Sequence, residues 1–162
     1  MTNLNNDNYS FVPPSIRLLF DNRQLEVIKT LCLLCPFYKK SKRKFIKVSD
    51  ILFYYSLVNF GMIKLIESNE EKEEVSRNLY YRYEQGVNQV ILEMVHLGFI
   101  EVKGTVTSKL SQLGVRLTLQ GNEFLKKLEI DYFLDLIDEY SNVISLIDNN
   151  SENKKKLKGV IK

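Results

Sequence analysis

The chain has one histidine, two cysteines and three prolines in 162 residues, and the first two scarcities each remove a kind of chemistry. With His96 alone and only Cys32 and Cys35 beside it, a structural zinc site lacks its four nitrogen and sulfur ligands. Cys32 and Cys35 spell C-x-x-C, but they fall in a helical pattern with no strand ahead of it. Buried, reduced thiols are expected there, not a redox pair. His96 stands beside a helix-ending glycine, where an imidazole suits the negative end of a helix, and spacing gives it no nucleophile or carboxylate to work with. Phosphate loops of the G-x-x-x-x-G-K kind and glycine-rich dinucleotide fingerprints are also missing. No cofactor, no metal and no enzymatic activity are expected.

No apolar run approaches the roughly 20 residues of a membrane span. The opening MTNLNNDNYSFVPPS has neither the basic start nor the apolar core of a secretory signal, so a cytoplasmic location is expected. The net charge of +3 is small, yet the charges are unevenly placed. Lys39, Lys40, Lys42, Arg43, Lys44 and Lys47 form a basic cluster; Glu67, Glu70, Glu71, Glu73 and Glu74 form an acidic one; Lys154, Lys155, Lys156, Lys158 and Lys162 make the end basic again.

The length suits one domain with short tails. Residues 1–15 are Asn-rich, end in Pro13 and Pro14, and are expected to form an arm. Asp21 and Gln24 resemble a capping box for a first helix carrying Leu25, Ile28, Leu31 and Cys32 and stopped by Pro36. A short strand at 45–48 precedes a second helix, N-capped by Ser49 or Asp50 and closed by Gly61. Ser68 and Glu71 suggest the start of a third helix, whose face of Val75, Leu79, Tyr83, Val87, Val90, Ile91 and Met94 runs to Gly98. Strands at 99–102 and 115–119 flank a polar loop, and Thr118 is placed to cap a long final helix. The stripe of that helix is Leu125, Leu128, Tyr132, Leu136, Tyr140, Val143 and Ile147, and Asp131, Asp135, Asp138 and Glu139 make its solvated acidic side. The expected division is an arm at 1–15, a main domain at 16–128, a helical extension at 129–149 and a disordered basic tail at 150–162.

Two phrases, Leu97-Gly98-Phe99-Ile100 and Leu117-Thr118 followed by Gly121, resemble the joints of a winged helix. That resemblance implies a mainly α fold with a small β-hairpin, a winged helix-turn-helix with a long C-terminal helix. In such folds the helix before the wing enters the major groove. Its exposed candidates here are Arg77, Asn78, Tyr81, Arg82, Gln85, Asn88 and Gln89, and the wing adds Lys103, Lys109 and Arg116 to the basic cluster as candidate nucleic-acid contacts. The glutamates ahead of that helix oppose phosphate. The cluster reads as an electrostatic contact without interleaved aromatics, not as a base-stacking platform. Tyr80, Tyr81, Arg82 and Gln85, with Tyr132, Leu136, Tyr140, Val143 and Ile147, are instead candidate partner contacts.

The segment VSDILFYYSLVNFGMIKL at 48–65, taken with the wing at 97–124, resembles the middle component of three-component systems built on an SMC-like ABC ATPase, the Lamassu-type antiviral defence systems. The resemblance implies a noncatalytic accessory subunit that bridges the ATPase and a nuclease-type effector, with DNA reached through the assembled complex. The competing reading is a homodimeric transcription regulator that dimerises through 120–148 and reads an operator with the third helix. The acidic approach to that helix and its tyrosines favour the subunit.

Overall fold

The structure, a computed structural model, describes residues 14–68, 74–104 and 109–158. It is mainly helical with one small antiparallel sheet. The order is α1 (Pro14–Lys40), β1 (Ile46–Lys47), α2 (Val48–Asn59), α3 (Ile63–Ser68), α4 (Glu74–His96), β2 (Ile100–Lys103), β3 (Gly114–Leu117), α5 (Leu119–Lys127), α6 (Asp131–Leu146) and α7 (Ser151–Lys158). No helix among the described residues is long and apolar enough to cross a membrane.

α1 begins seven residues before the expected capping box, at Pro14, where a missing N–H is harmless. It also continues through Pro36 to Lys40. The lost backbone bond at Pro36 is tolerated because Leu31, Leu33, Leu34 and Cys35 around it are buried and the last turn closes from Ser41 N–H to the Phe37 carbonyl at 3.0 Å. α2 starts at Val48 without a side-chain cap, so Ser49 and Asp50 do not cap it. Its end is as expected. Gly61 takes φ +63°, and Met62 N–H bonds back to the Leu57 carbonyl at 3.2 Å, with both side chains fully buried. The residues after it form the extra helix α3. Glu70, Glu71 and Glu73, and with them the second half of the Ser68 capping box, lie outside the described residues.

The joint after α4 is built as the sequence suggested. Gly98 takes φ +76°, Phe99 N–H bonds to the Met94 carbonyl at 3.0 Å, and Phe99 turns back to stack on Phe124 with centroids 4.6 Å apart. Thr118 Oγ1 accepts from Gly121 N–H at 3.0 Å and donates to the Gly98 carbonyl at 2.7 Å, so one hydroxyl caps α5 and ties it to the end of α4. Gly121 is needed for this approach, because a Cβ there would collide with the Phe99 carbonyl oxygen.

The sheet has the order β1-β3-β2, so β1 adds a third strand to the expected hairpin. Ile46 pairs with Val115, Ile100 with Leu117 and Val102 with Val115. The core lies between the inner face of this sheet and α1, α2, α4 and α6. At its centre Tyr55 stacks flat on Tyr83 at 3.9 Å, and the Tyr83 hydroxyl shares a 3.0 Å hydrogen bond with Thr30.

The long final helix is instead two pieces. Glu129, a non-glycine residue at φ +40°, breaks the chain between α5 and α6, and α6 folds back across α1 and α2. Tyr54 O–H donates to the Ile147 carbonyl at 3.1 Å and holds its far end. The segment from 151 to 158, expected to be disordered, is α7. Asn150 Oδ1 accepts from Asn153 N–H at 2.8 Å at its start, and Leu157 is buried against the body. That leucine contributes about 2 kcal/mol.

Candidate nucleic-acid interface and partner surface

Alternation along the strands turns Ile46, Ile100, Val115 and Leu117 into the core, and Lys47, Glu101, Lys103 and Arg116 outward. Lys47 and Lys103 flank Gly114 from its two neighbouring strands. Gly114 leaves room for Phe45, whose Cβ would lie 2.9 Å from any Cβ at that position. The Phe45 ring carries the Arg116 guanidinium at 4.5 Å and the Lys103 ammonium at 5.6 Å from its centroid. Arg116 also pairs with Glu101 at 2.5 Å and donates to the Arg43 carbonyl at 3.3 Å. The loop after α1 and the hairpin therefore meet on one outer face, although some 70 residues of sequence separate them.

Six of the predicted contacts, Lys42, Arg43, Lys44, Lys47, Lys103 and Arg116, belong to this face. Lys40 is exposed at the end of α1. Lys39 is exposed in the last turn of α1; burial raises the Cys35 thiol, and Lys39 with Lys126 of α5 partly offsets that rise. Lys109 is exposed at the base of the hairpin loop; residues 105–108 lie outside the described residues. The reading of a cluster without aromatics is corrected: Lys42 lies over the Tyr38 ring at 5.8 Å, and Phe45 is clasped by two cations. Phe45 and Tyr38 are the members that sequence reasoning missed. The signal for both was present in FYKKSKRKF, where the aromatics bracket the lysines.

The partner contacts divide differently. Leu136, Tyr140, Val143 and Ile147 are buried in the chain's own core, with Tyr140 fully enclosed and its hydroxyl accepting from the Asn59 amide at 2.5 Å. Tyr80 is buried too. Those five are not available to a partner as folded: the break at Glu129 lets α6 bury its stripe on α1 and α2, and Tyr80 lies on α4 beside Leu157 of α7. Tyr132, Tyr81, Arg82 and Gln85 remain exposed. On α4 the exposed side chains Tyr81, Gln85, Asn88, Leu92 and Val95 follow a 4-3-4-3 spacing, which draws one continuous stripe along the helix. Leu92 and Val95 are 54% and 43% exposed, so the carboxyl half of the stripe is an open apolar surface.

One side of the amino half of α4 is covered. α7 lies against it and against α3, Tyr81 O–H donates to the Lys158 carbonyl at 2.9 Å, and Leu157 enters a groove lined by Leu52, Phe53, Tyr80 and Glu84. Asp50, displaced from its expected capping role, accepts from the Asn149 amide and pairs with Lys154 at 3.6 Å. Sequence reasoning missed this contact entirely.

Cys32 and Cys35 are free and buried. Burial, with the neighbouring Cys35 adding to it, pushes the Cys32 thiol from 9.0 up to about 12. The sign follows: the unfolded chain loses this proton first, so the contribution is complete below pH 9.0 and is lost as pH rises toward about 12. Burial raises Tyr54, Tyr55, Tyr80, Tyr83 and Tyr140 as well, which adds the same loss above their ordinary value of 10.0. Urea midpoints are expected to fall continuously once the pH passes about 9, and a flat alkaline profile would contradict this burial.

Asp131, Asp135, Asp138 and Glu139 are exposed, and among the described residues no three His, Cys, Asp or Glu side chains gather as a metal site. No protein-family model matches the chain, and neither a curated protein nor a solved structure matches it.

Proposed function

We propose that the chain is a winged-helix accessory subunit that binds and does not catalyse, a bridge between an SMC-like ABC ATPase and a nuclease-type effector in a cytoplasmic antiviral defence complex. Support for the winged helix is the pairing of a strand after the first helix with the returning strand of the hairpin, in the order β1-β3-β2, directly after α4. On this reading α4 is the counterpart of the reading helix, and the hairpin that of the wing.

The observation that carries the subunit reading is α7 on the amino half of α4. A reading helix presents that end to phosphates, and here Leu157 and the Tyr81 to Lys158 hydrogen bond occupy one side of it, while Asn78, Arg82 and Gln85 stay exposed. A regulator dimerising through 120–148 would also need the apolar stripe of α6, which is enclosed in the chain's own core. The open stripe through Leu92 and Val95 suits a partner helix, and the basic sheet face suits a nucleic-acid backbone held beside it, with no base-specific reading.

Affinity purification of the tagged chain from its native operon, washed in moderate salt, tests the proposal. A large coiled-coil ATPase and a second protein should remain bound. A lone dimer carrying one specific promoter fragment would overturn it.

A further inference from the structure

We propose that the groove between α2 and α4 is a docking site for a lysine-rich amphipathic helix of a partner protein, and that α7 is its resident, displaceable occupant. This stands apart from the identity of the complex and from the stripe at Leu92 and Val95.

The groove has an apolar floor and an acidic rim. Leu52, Phe53 and Tyr80 line it, Glu84 stands beside them, and Asp50 lies on the same side of α2. α7 shows which chemistry fits. One leucine, Leu157, enters the floor, and Lys154 reaches Asp50 while Lys158 lies at the lining. Between Ser151 and Lys158 the helix carries four lysines against one glutamate, so its charge complements the rim. The same carboxylates repel phosphate, so a helix is the favoured incomer over DNA.

The occupant is held loosely. Leu157 is the only buried residue of α7, whereas α6 buries Leu136, Ile137, Tyr140 and Val143. An eight-residue helix has little stability of its own. Among the described residues, its polar ties beyond packing on α3 and α4 are an exposed hydrogen bond from Tyr81, an ion pair about a third exposed, and the preceding Asn149 contact to Asp50. The seat is also imperfect, because a gap of about 50 Å³ remains between α7 and the groove. A partner helix that fills this gap and brings a second apolar side chain would displace α7 by ordinary competition.

The test uses the full chain, wild type and Leu157→Asp, titrated with a fluorescent peptide of residues 148–162. The Leu157→Asp chain should bind the peptide at least tenfold more tightly than wild type, whose groove is occupied. A peptide carrying the same substitution should bind neither chain. Equal binding by the two folded chains, or capture of a DNA duplex in place of the peptide, would overturn the proposal. Hydrogen exchange on the wild-type chain keeps it testable if the variant does not fold: amides of 151–158 should exchange at least tenfold faster than those of α6, and equal protection of the two helices would refute displacement.

Discussion

Truncating Tyr140 to alanine is expected to destabilise the fold by about 3–5 kcal/mol, a large share of the roughly 5–15 kcal/mol that holds a typical domain together. The ring is wholly enclosed where α6 crosses α1 and α2, and it is the largest of the fully buried side chains. Its removal would leave a cavity that the packed aromatics Tyr55 and Tyr83 cannot collapse into without losing their stacking. Tyr140→Phe should cost only about 1 kcal/mol, the value of one hydrogen bond, since the Asn59 amide keeps its bond to the Tyr55 carbonyl at 3.0 Å. Leu146→Ala, at a residue 82% exposed, should stay within about 0.5 kcal/mol. Urea denaturation of the three variants distinguishes a core helix from an interface helix. If Tyr140→Ala left the monomer's stability intact, α6 would be an interface helix after all.

Replacing Lys44, Lys47 and Lys103 together by glutamine is expected to lower affinity for a DNA duplex by roughly tenfold or more and to flatten its salt dependence by about three units of logarithmic slope, one for each phosphate that is no longer neutralised. All three are exposed, and Lys47 and Lys103 flank Gly114 on the outer sheet face, so their removal should not disturb the core. Arg116 is a poorer choice for this experiment. Beyond the Phe45 ring, which Lys103 shares, it is tied to Glu101 and the Arg43 carbonyl, so changing it would alter the architecture of the face along with its charge. Fluorescence anisotropy across a salt series, with duplexes of unrelated sequence, reads the result. An unchanged slope would mean that phosphates are met elsewhere; a sequence preference would mean that base edges are read.

The features legible in the sequence are those with local causes. Gly98 and Gly61 end helices because the backbone must turn left-handed there, and Thr118 caps because a hydroxyl ahead of a helix finds a free amide whatever lies around it. The features that escaped it have distant causes. Neither glycine nor proline marks the break at Glu129; the chain turns there because the α6 stripe gains more by packing on α1 and α2 than by extending α5. Pro36 reads as a stop, and burial of the residues around it overrides that preference. Asp50 has the form of a cap, but its carboxylate is engaged by Asn149 and Lys154, 99 and 104 positions further along. α7 looks like a solvated lysine run because its docking depends on one leucine. On the candidate site, the lysines and Arg116 were legible one by one, whereas their gathering around Phe45 depends on the pairing of β1 with β3.

The account stands or falls on whether α4 binds protein through its open stripe. The decisive comparison is copurification from the native operon of the wild-type chain and a Leu92→Glu, Val95→Glu chain, after both are found to melt at the same temperature. Wild type should retain the ATPase and effector, and the double variant, altered only at two exposed positions, should lose them. Retention of the same partners by both chains, or of a promoter fragment and no partner by either, would contradict it.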